Sequence, residues 1–372
     1  MKPNLKFPFY AKVSLVFIGL FAFVYMLFIA QTIIVPIIYS TIMAILLIPI
    51  VNLFVRKGMN RALAIAITII LVISITILLI ALLSSQMIQF GDSFPKLIEN
   101  FHHLLNQSIA WVSENFNVSS HKINAWISEK KVEVLSESSS FIGKTLINTG
   151  NVLVVLVLIP VYIFMILFYQ PLLIEFVHKL FRSSNQNEIN EVLSATKKII
   201  QSYLVGLILE AIIVAILNSV SLLILGIEYA ILLGVIGAIL NVIPYLGGII
   251  SVALSMMIAL ATKSPTYALL VFGSYVLIQL IDNNYIMPKV VASKVKINAL
   301  VSIIVVLTGG ALWGIPGMFL SIPLTAIIKV VFDHIEPLKP WGFLLGDTMP
   351  PIIEIKTPFK KIIEQIKNIK SN

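Results

Sequence analysis

Residues 230–334 carry Asn241-Val242-Ile243-Pro244-Tyr245-Leu246-Gly247-Gly248 and, further on, Gly309-Gly310 and Gly314-Ile315-Pro316-Gly317. The first motif interrupts an apolar segment over 230–261, the others an apolar segment over 299–331. Each segment is longer than the roughly 20 helical residues that cross a bilayer core. Proline removes a backbone donor and glycine loosens a helix, so neither break reads as smooth helix. In hydrocarbon an unpaired backbone group is costly. A break at that depth persists only inside protein or beside a water-filled cavity. Paired Gly/Pro interruptions of this kind point to a transporter binding site.

The remaining composition agrees with a bilayer setting. Of 372 residues, 59% are hydrophobic and 12% charged, and the mean hydropathy is +1.01. A soluble domain does not carry so apolar a surface, so the chain reads as a polytopic membrane protein. The net charge of +9 then reports membrane topology rather than nucleic-acid binding. There is no cysteine, which excludes disulfides, thiolate ligands and iron–sulfur clusters. Lys2, Lys6 and Lys12 before the apolar run 15–30 imitate a signal peptide. That run is too long and lacks a small-residue cleavage site, so it reads as a retained first span.

Taken in order, residues 1–89 hold spans one (10–30), two (33–55, with Pro36 and Pro49 as kinks) and three (62–89). Residues 90–147 read as a small amphipathic helical insert outside the bilayer, with Phe94, Leu97, Ile98, Phe101, Leu104 and Leu105 at helical spacing. Residues 148–170 hold span four, and 171–198 a basic connection. Residues 199–334 form a transport core. It holds span five with Glu210, the broken segment 230–262, span six (267–286) and the broken segment 299–333. In the tail, 335–372, Phe359, Ile362, Ile363, Ile366 and Ile369 oppose Lys360, Lys361, Lys367 and Lys370. That pattern predicts a basic amphipathic helix on the inner membrane surface.

Basic residues cluster at the N-terminus, 56–61, 172–198, 289–296 and the tail, and short cytoplasmic loops collect such residues. All of these stretches share one side only if each broken segment enters and returns. The expected fold is therefore all-α, with about six full transmembrane helices, two broken re-entrant hairpins and a small extracytoplasmic insert. The first hairpin enters from outside, the second from the cytoplasm, and their tips approach mid-membrane. The rival is eight kinked crossings, which puts Lys289, Lys294 and Lys296 outside.

Glu210 lies mid-span, where an ionised carboxylate is expensive and marks function by default. It is the candidate proton carrier, against a role as a hydrogen-bonded structural Glu. Asp282, Asn283 and Asn284, with Gln279 before them, offer oxygens to a cation or polar solute, or else cap a helix end. The breaks expose backbone groups at Asn241, Pro244, Tyr245, Gly247, Gly248, Gly309, Gly310, Gly314, Pro316 and Gly317. Such helix ends bind polar solutes, whereas close packing of small residues is the plainer use of the glycines. No catalytic set and no metal site is visible, and no cofactor is expected. Gly143-Lys144-Thr145 lacks the glycine a phosphate loop needs, having Ser138 instead, and His102-His103 do not match a zinc-hydrolase pattern.

The three motifs, with Gln279-Leu280-Ile281-Asp282-Asn283-Asn284 and Pro288 between them and Ile322-Pro323 behind, resemble the autoinducer-2 exporter (AI-2E) family of bacterial membrane proteins. The resemblance covers nearly the whole chain. It implies a permease of the bacterial inner membrane with cytoplasmic termini, assembled as a homo-oligomer, a pentamer being one form. It implies a small polar solute such as a quorum-sensing signal, or a sodium ion exchanged for protons, and no enzymatic activity. Glu210 lies outside the motifs that carry the resemblance. A membrane scaffold docking partners through 90–147 is a further reading, but it gives no reason for two breaks at membrane depth.

Overall fold

The structure is a computed structural model that describes residues 8–116, 149–181, 186–243, 246–292 and 295–348. Among them every element is a helix or turn, apart from one isolated bridge between Ile297 and Gly346. In order the helices are α1 (Phe9–Ile29), α2 (Gln31–Arg56), α3 (Arg61–Phe116), α4 (Thr149–Phe168), α5 (Gln170–Leu180) and α6 (Gln186–Ile224). Then come α7 (Ala230–Asn241), α8 (Leu246–Thr262), α9 (Pro265–Ile281), α10 (Ala299–His334) and α11 (Lys339–Leu345). The protein is an all-α polytopic membrane protein. Helices α1, α2 and α6, α9 together with the helical turns that carry it on to Val291, the part of α3 up to Asp92, and the bent α4–α5 pair are long and apolar enough to cross.

Helix α10 also passes that length test, but it is not one rod. Trp313 and Gly314 leave the helical region, Gly314 at φ 64° and ψ −145°, a combination open essentially to glycine. The chain folds back there. Gly309 meets Ser321 Oγ and the Gly317 carbonyl so closely that neither glycine has room for a Cβ. In a straight helix, residues twelve apart would sit roughly 18 Å apart. The first break is a hairpin for the same reason, since Gly237 of α7 lies against Ser251 of α8. Helix α7 has 12 residues, about 18 Å of rise and well short of a bilayer core of about 30 Å.

Hydrogen bonds place the ends of the helices. Arg61 Nη2 donates to the Leu167 carbonyl and to Gln170 Oε1, both at 2.8 Å, which sets the start of α3 beside the α4–α5 bend. Gln201 Nε2 donates to the Ile45 carbonyl at 2.7 Å, bringing the first half of α6 against α2. Asn298 Nδ2 donates to the Leu344 and Gly346 carbonyls at 2.8 and 3.0 Å, which ties the start of α10 to α11. At the opposite end, Asn100 Nδ2 donates to the Ala261 carbonyl at 2.9 Å. The basic residues of 56–61 therefore lie beside the start of 170–181.

Three apolar cores hold it. One joins α2, α3 and α4 around Ile65 and Leu167, and one joins α2, α6 and α10 around Ile200 and Leu320. The third joins α6, α7, α8 and α9 around Leu222, Leu233, Ile258 and Val271. Lipid is as apolar as leucine, so close packing rather than transfer from water holds such cores.

Some sequence expectations shift. The helix of span three does not stop at 89, because the amphipathic spacing after it continues one 56-residue helix, through Pro95, to Phe116. The connection 171–198 is largely helical. Helix α5 turns 63° away from α4, and α6 starts at Gln186 and runs straight into span five. Trp313 Nε1 donates to the Leu27 carbonyl at 3.1 Å, and Tyr39 donates to the Pro316 carbonyl at 3.2 Å. The second tip thus sits beside α1 and α2, and its Trp313 packs on the same core as Val242 of the first tip. The remainder of the insert (117–148), the amphipathic tail (349–372), Pro244 and Tyr245 lie outside the described residues.

Candidate functional site

The tip of the first hairpin closes one end of a cavity of about 710 Å³. Its rim, where α6 begins, carries the exposed Lys296 and Asp347. Its floor carries Glu210 of α6 and Asp282, only 6% and 2% exposed. Between them the walls are mostly apolar, with Val242, Ile249, Val252, Phe272, Val276 and Val291. A largely apolar pocket with a few convergent polar groups is the usual form of a small-molecule site.

The fold brings the floor together from separate elements. Helix α9 ends at Ile281 and the chain continues as two π-helical turns, Asp282–Ile286 and Pro288–Ala292. These wide turns are frequent at functional sites. Asp282 is thus the C-cap of α9, but the chain stays helical through it. Its side chain points inward, where Asn241 Nδ2 at the end of α7 donates to Oδ2 at 3.0 Å. Gln279 lies beside Gly248 and donates to Asn283 Oδ1 at 3.2 Å. Close approach is a requirement at two glycines here. A Cβ on Gly247 would strike the Leu240 carbonyl, and one on Gly206 of α6 the Val290 carbonyl of the second π turn.

Glu210 Oε2 and Asp282 Oδ1 are buried without a hydrogen-bond partner. Lys179 pairs with Glu175, Lys329 with Asp333 and Lys339 with Glu336, none of which reaches the floor. Two carboxyl groups thus share a confined site without a basic partner. Beyond the floor, the hydroxyls of Ser251, Ser255 and Tyr275 bond to one another at 3.2 and 3.0 Å, behind which the α6–α9 core is apolar. The floor is buried, whereas the wall residues Ile249, Phe272 and Val276 are exposed.

Of the residues singled out in the sequence, Glu210, Asn241, Gly248, Gln279, Asp282 and Asn283 meet at this cavity, with Gly247 forming the turn behind it. Asn284 turns away, donating to the Leu280 carbonyl at 2.8 Å. Gly309, Gly310 and Gly317 serve the packing of the α10 arms, and Gly314 and Pro316 form a tip that lies against α1 and α2. Asn218, Ser251, Ser255 and Tyr275 were not foreseen. Part of their signal was present as polar residues on one face of an apolar stretch of helix: Glu210 and Asn218, two turns apart on α6, and Ser251 and Ser255, four apart on α8.

A bundle of spanning helices with two folded-back hairpins and a buried polar site at one tip defines a membrane transport protein rather than an enzyme. The chain belongs to the AI-2E transporter family, whose family model matches residues 15–336. It is similar to YrrI of Bacillus subtilis, 25% identical over 82% of this chain and 87% of that protein. It is also similar to YhhT of Escherichia coli K12, 24% identical over 86% of this chain and 90% of that one. PerM of the same organism is 28% identical over 50% of this chain and 53% of its own length. The names of the first two assign them to transport, and that of PerM to the permeases.

Proposed function

We propose that the chain exports a small polar solute, of which a quorum-sensing signal is one type, by alternating access across the bacterial inner membrane. The rim of the cavity faces the cytoplasm in this reading, together with both termini and the basic stretches. The observation that carries it is the cavity lined by exposed Lys296 and Asp347 and by two buried carboxyl groups beside a hairpin tip. Solute enters from the rim and displaces water from the apolar walls. Movement of the first hairpin against α6 then opens the buried floor. Glu210 carries the driving proton. Its Oε2 has no partner to give up when a proton arrives. In proteoliposomes, Glu210→Gln is expected to abolish the pH dependence of flux. Flux that follows pH as in the parent chain would rule that role out.

The pairing of Glu210 with Asp282 across one floor supports a second reading, sodium/proton exchange, in which both carboxyl groups ligate the ion in turn. Expression would then rescue a salt-sensitive host, and Asp282→Asn would lose the rescue. Rescue by the Asn variant equal to that of the parent chain would retire this reading.

A further inference from the structure

Behind Asp282 the cavity wall leads to a recess of about 10 Å³, just large enough for one water-sized group. Asn241, Gly248, Tyr275, Gln279 and Asp282 line both spaces, so the recess is a branch of the cavity. Its far wall is Asn218 of α6, which is 3% exposed and whose Oδ1 is buried without a partner. With Asp282 Oδ1 also beside the recess, two orphan atoms flank this place, and both are oxygens, while the third orphan carboxyl oxygen, Glu210 Oε2, belongs to a residue of the cavity in front. A buried polar group without a partner is costly, so a ligand that repairs this site brings donors, not acceptors. A primary ammonium has three N–H donors, no acceptor, and a head the size of water. The carboxyl groups have no basic partner among the described residues, and the cavity in front is mostly apolar.

We propose that the transported solute is a primary organic amine, its ammonium seated between Asn218 and Asp282 and its apolar body lying in the cavity. This rests on the transport reading above and names the solute class for it. A sugar-like neutral signal would bring acceptors as well as donors to a wall that lacks only donors.

The test uses the full-length chain in lipid nanodiscs and four probes on one butyl scaffold: n-butylammonium, n-butyltrimethylammonium, 1-pentanol and pentanoate. Calorimetric titration should show binding of n-butylammonium alone. The quaternary ion has no N–H and is too wide for the recess. Asn218→Leu should weaken n-butylammonium by about tenfold or more. Asn218→Asp keeps the acceptor and adds charge, so it should bind at least as tightly as the parent chain. It keeps the test decisive if the leucine variant fails to fold. Equal affinity for the alcohol or the quaternary ion would overturn the proposal, as would affinities unchanged in both Asn218 variants. Sodium binding that Asn218→Leu abolishes, with no amine binding, would assign the recess to an inorganic cation and also overturn it. Flux of a neutral polyol that depends on Glu210, without amine binding, would reject the amine and keep the transporter. Absence of flux for every solute tried would reject the transporter reading itself.

Discussion

Gly309 and Gly317 show how one atom decides a tertiary turn. The two arms of α10 approach until the backbone of one touches that of the other, leaving no space for a methyl group. Gly317→Val is therefore an overpacking change with backbone on the far side, which does not yield as a flexible side chain does. It is expected to cost about 1–3 kcal/mol, read as a lower thermal midpoint of the purified protein. Gly19→Ala on α1, where a Cβ would meet nothing within 4 Å, should leave the midpoint unchanged. A Gly317→Val midpoint equal to that of the parent chain would mean the arms are not closed in this way. The sequence marks these glycines as breaks, but a glycine that lines a site and one that packs two helices look alike in one dimension. Glu210 was easier to read, because a carboxylate inside an apolar run is costly unless it serves a function.

The elbow between α4 and α5 is the clearest case of an element held by a single side chain. The last carbonyls of a helix have no partner within it. Arg61 at the start of α3 supplies one for Leu167 and bridges to Gln170 across the bend. Hydrogen bonds from a charged donor contribute about 1.5–3 kcal/mol. Arg61→Ala should loosen α5 locally, read as faster amide exchange over 170–180 with exchange over 200–222 unchanged. Uniformly faster exchange in both segments would show that Arg61 holds the whole bundle and not the elbow. Elements such as α5 were hard to foresee. Gln170–Leu180 contains Pro171, Glu175, His178 and Lys179, and that polarity reads as a connection. Its helicity depends on the proline at its start, a position that needs no N–H, and on the contact to Arg61. The continuous α3 was missed for the converse reason. A change from apolar to amphipathic residues marks where a helix leaves lipid, not where it ends.

At the scale of the whole molecule, the count of crossings follows from where charge sits, and the two hairpins reconcile it with the number of apolar segments. The bond of Arg61 to Gln170 brings the basic residues of 56–61 to the end where 170–181 starts, without reference to a bilayer. The contact of Asn100 with Ala261 marks the other end. Sidedness can be tested directly because the chain has no cysteine of its own. Single cysteines at Lys57, Lys289, Lys339 and Thr266, all at exposed positions, would be probed in whole cells with a membrane-impermeant thiol reagent. Folded-back hairpins place Thr266, in the first turn of α9, on the side opposite to the other three. Thr266 should label in intact cells, and Lys57, Lys289 and Lys339 only after permeabilisation. Eight plain crossings reverse two of these outcomes: Lys289 would label in intact cells and Thr266 would not. That reversal would move the rim of the cavity to the outside, and with it the direction in which a solute first meets Glu210 and Asp282.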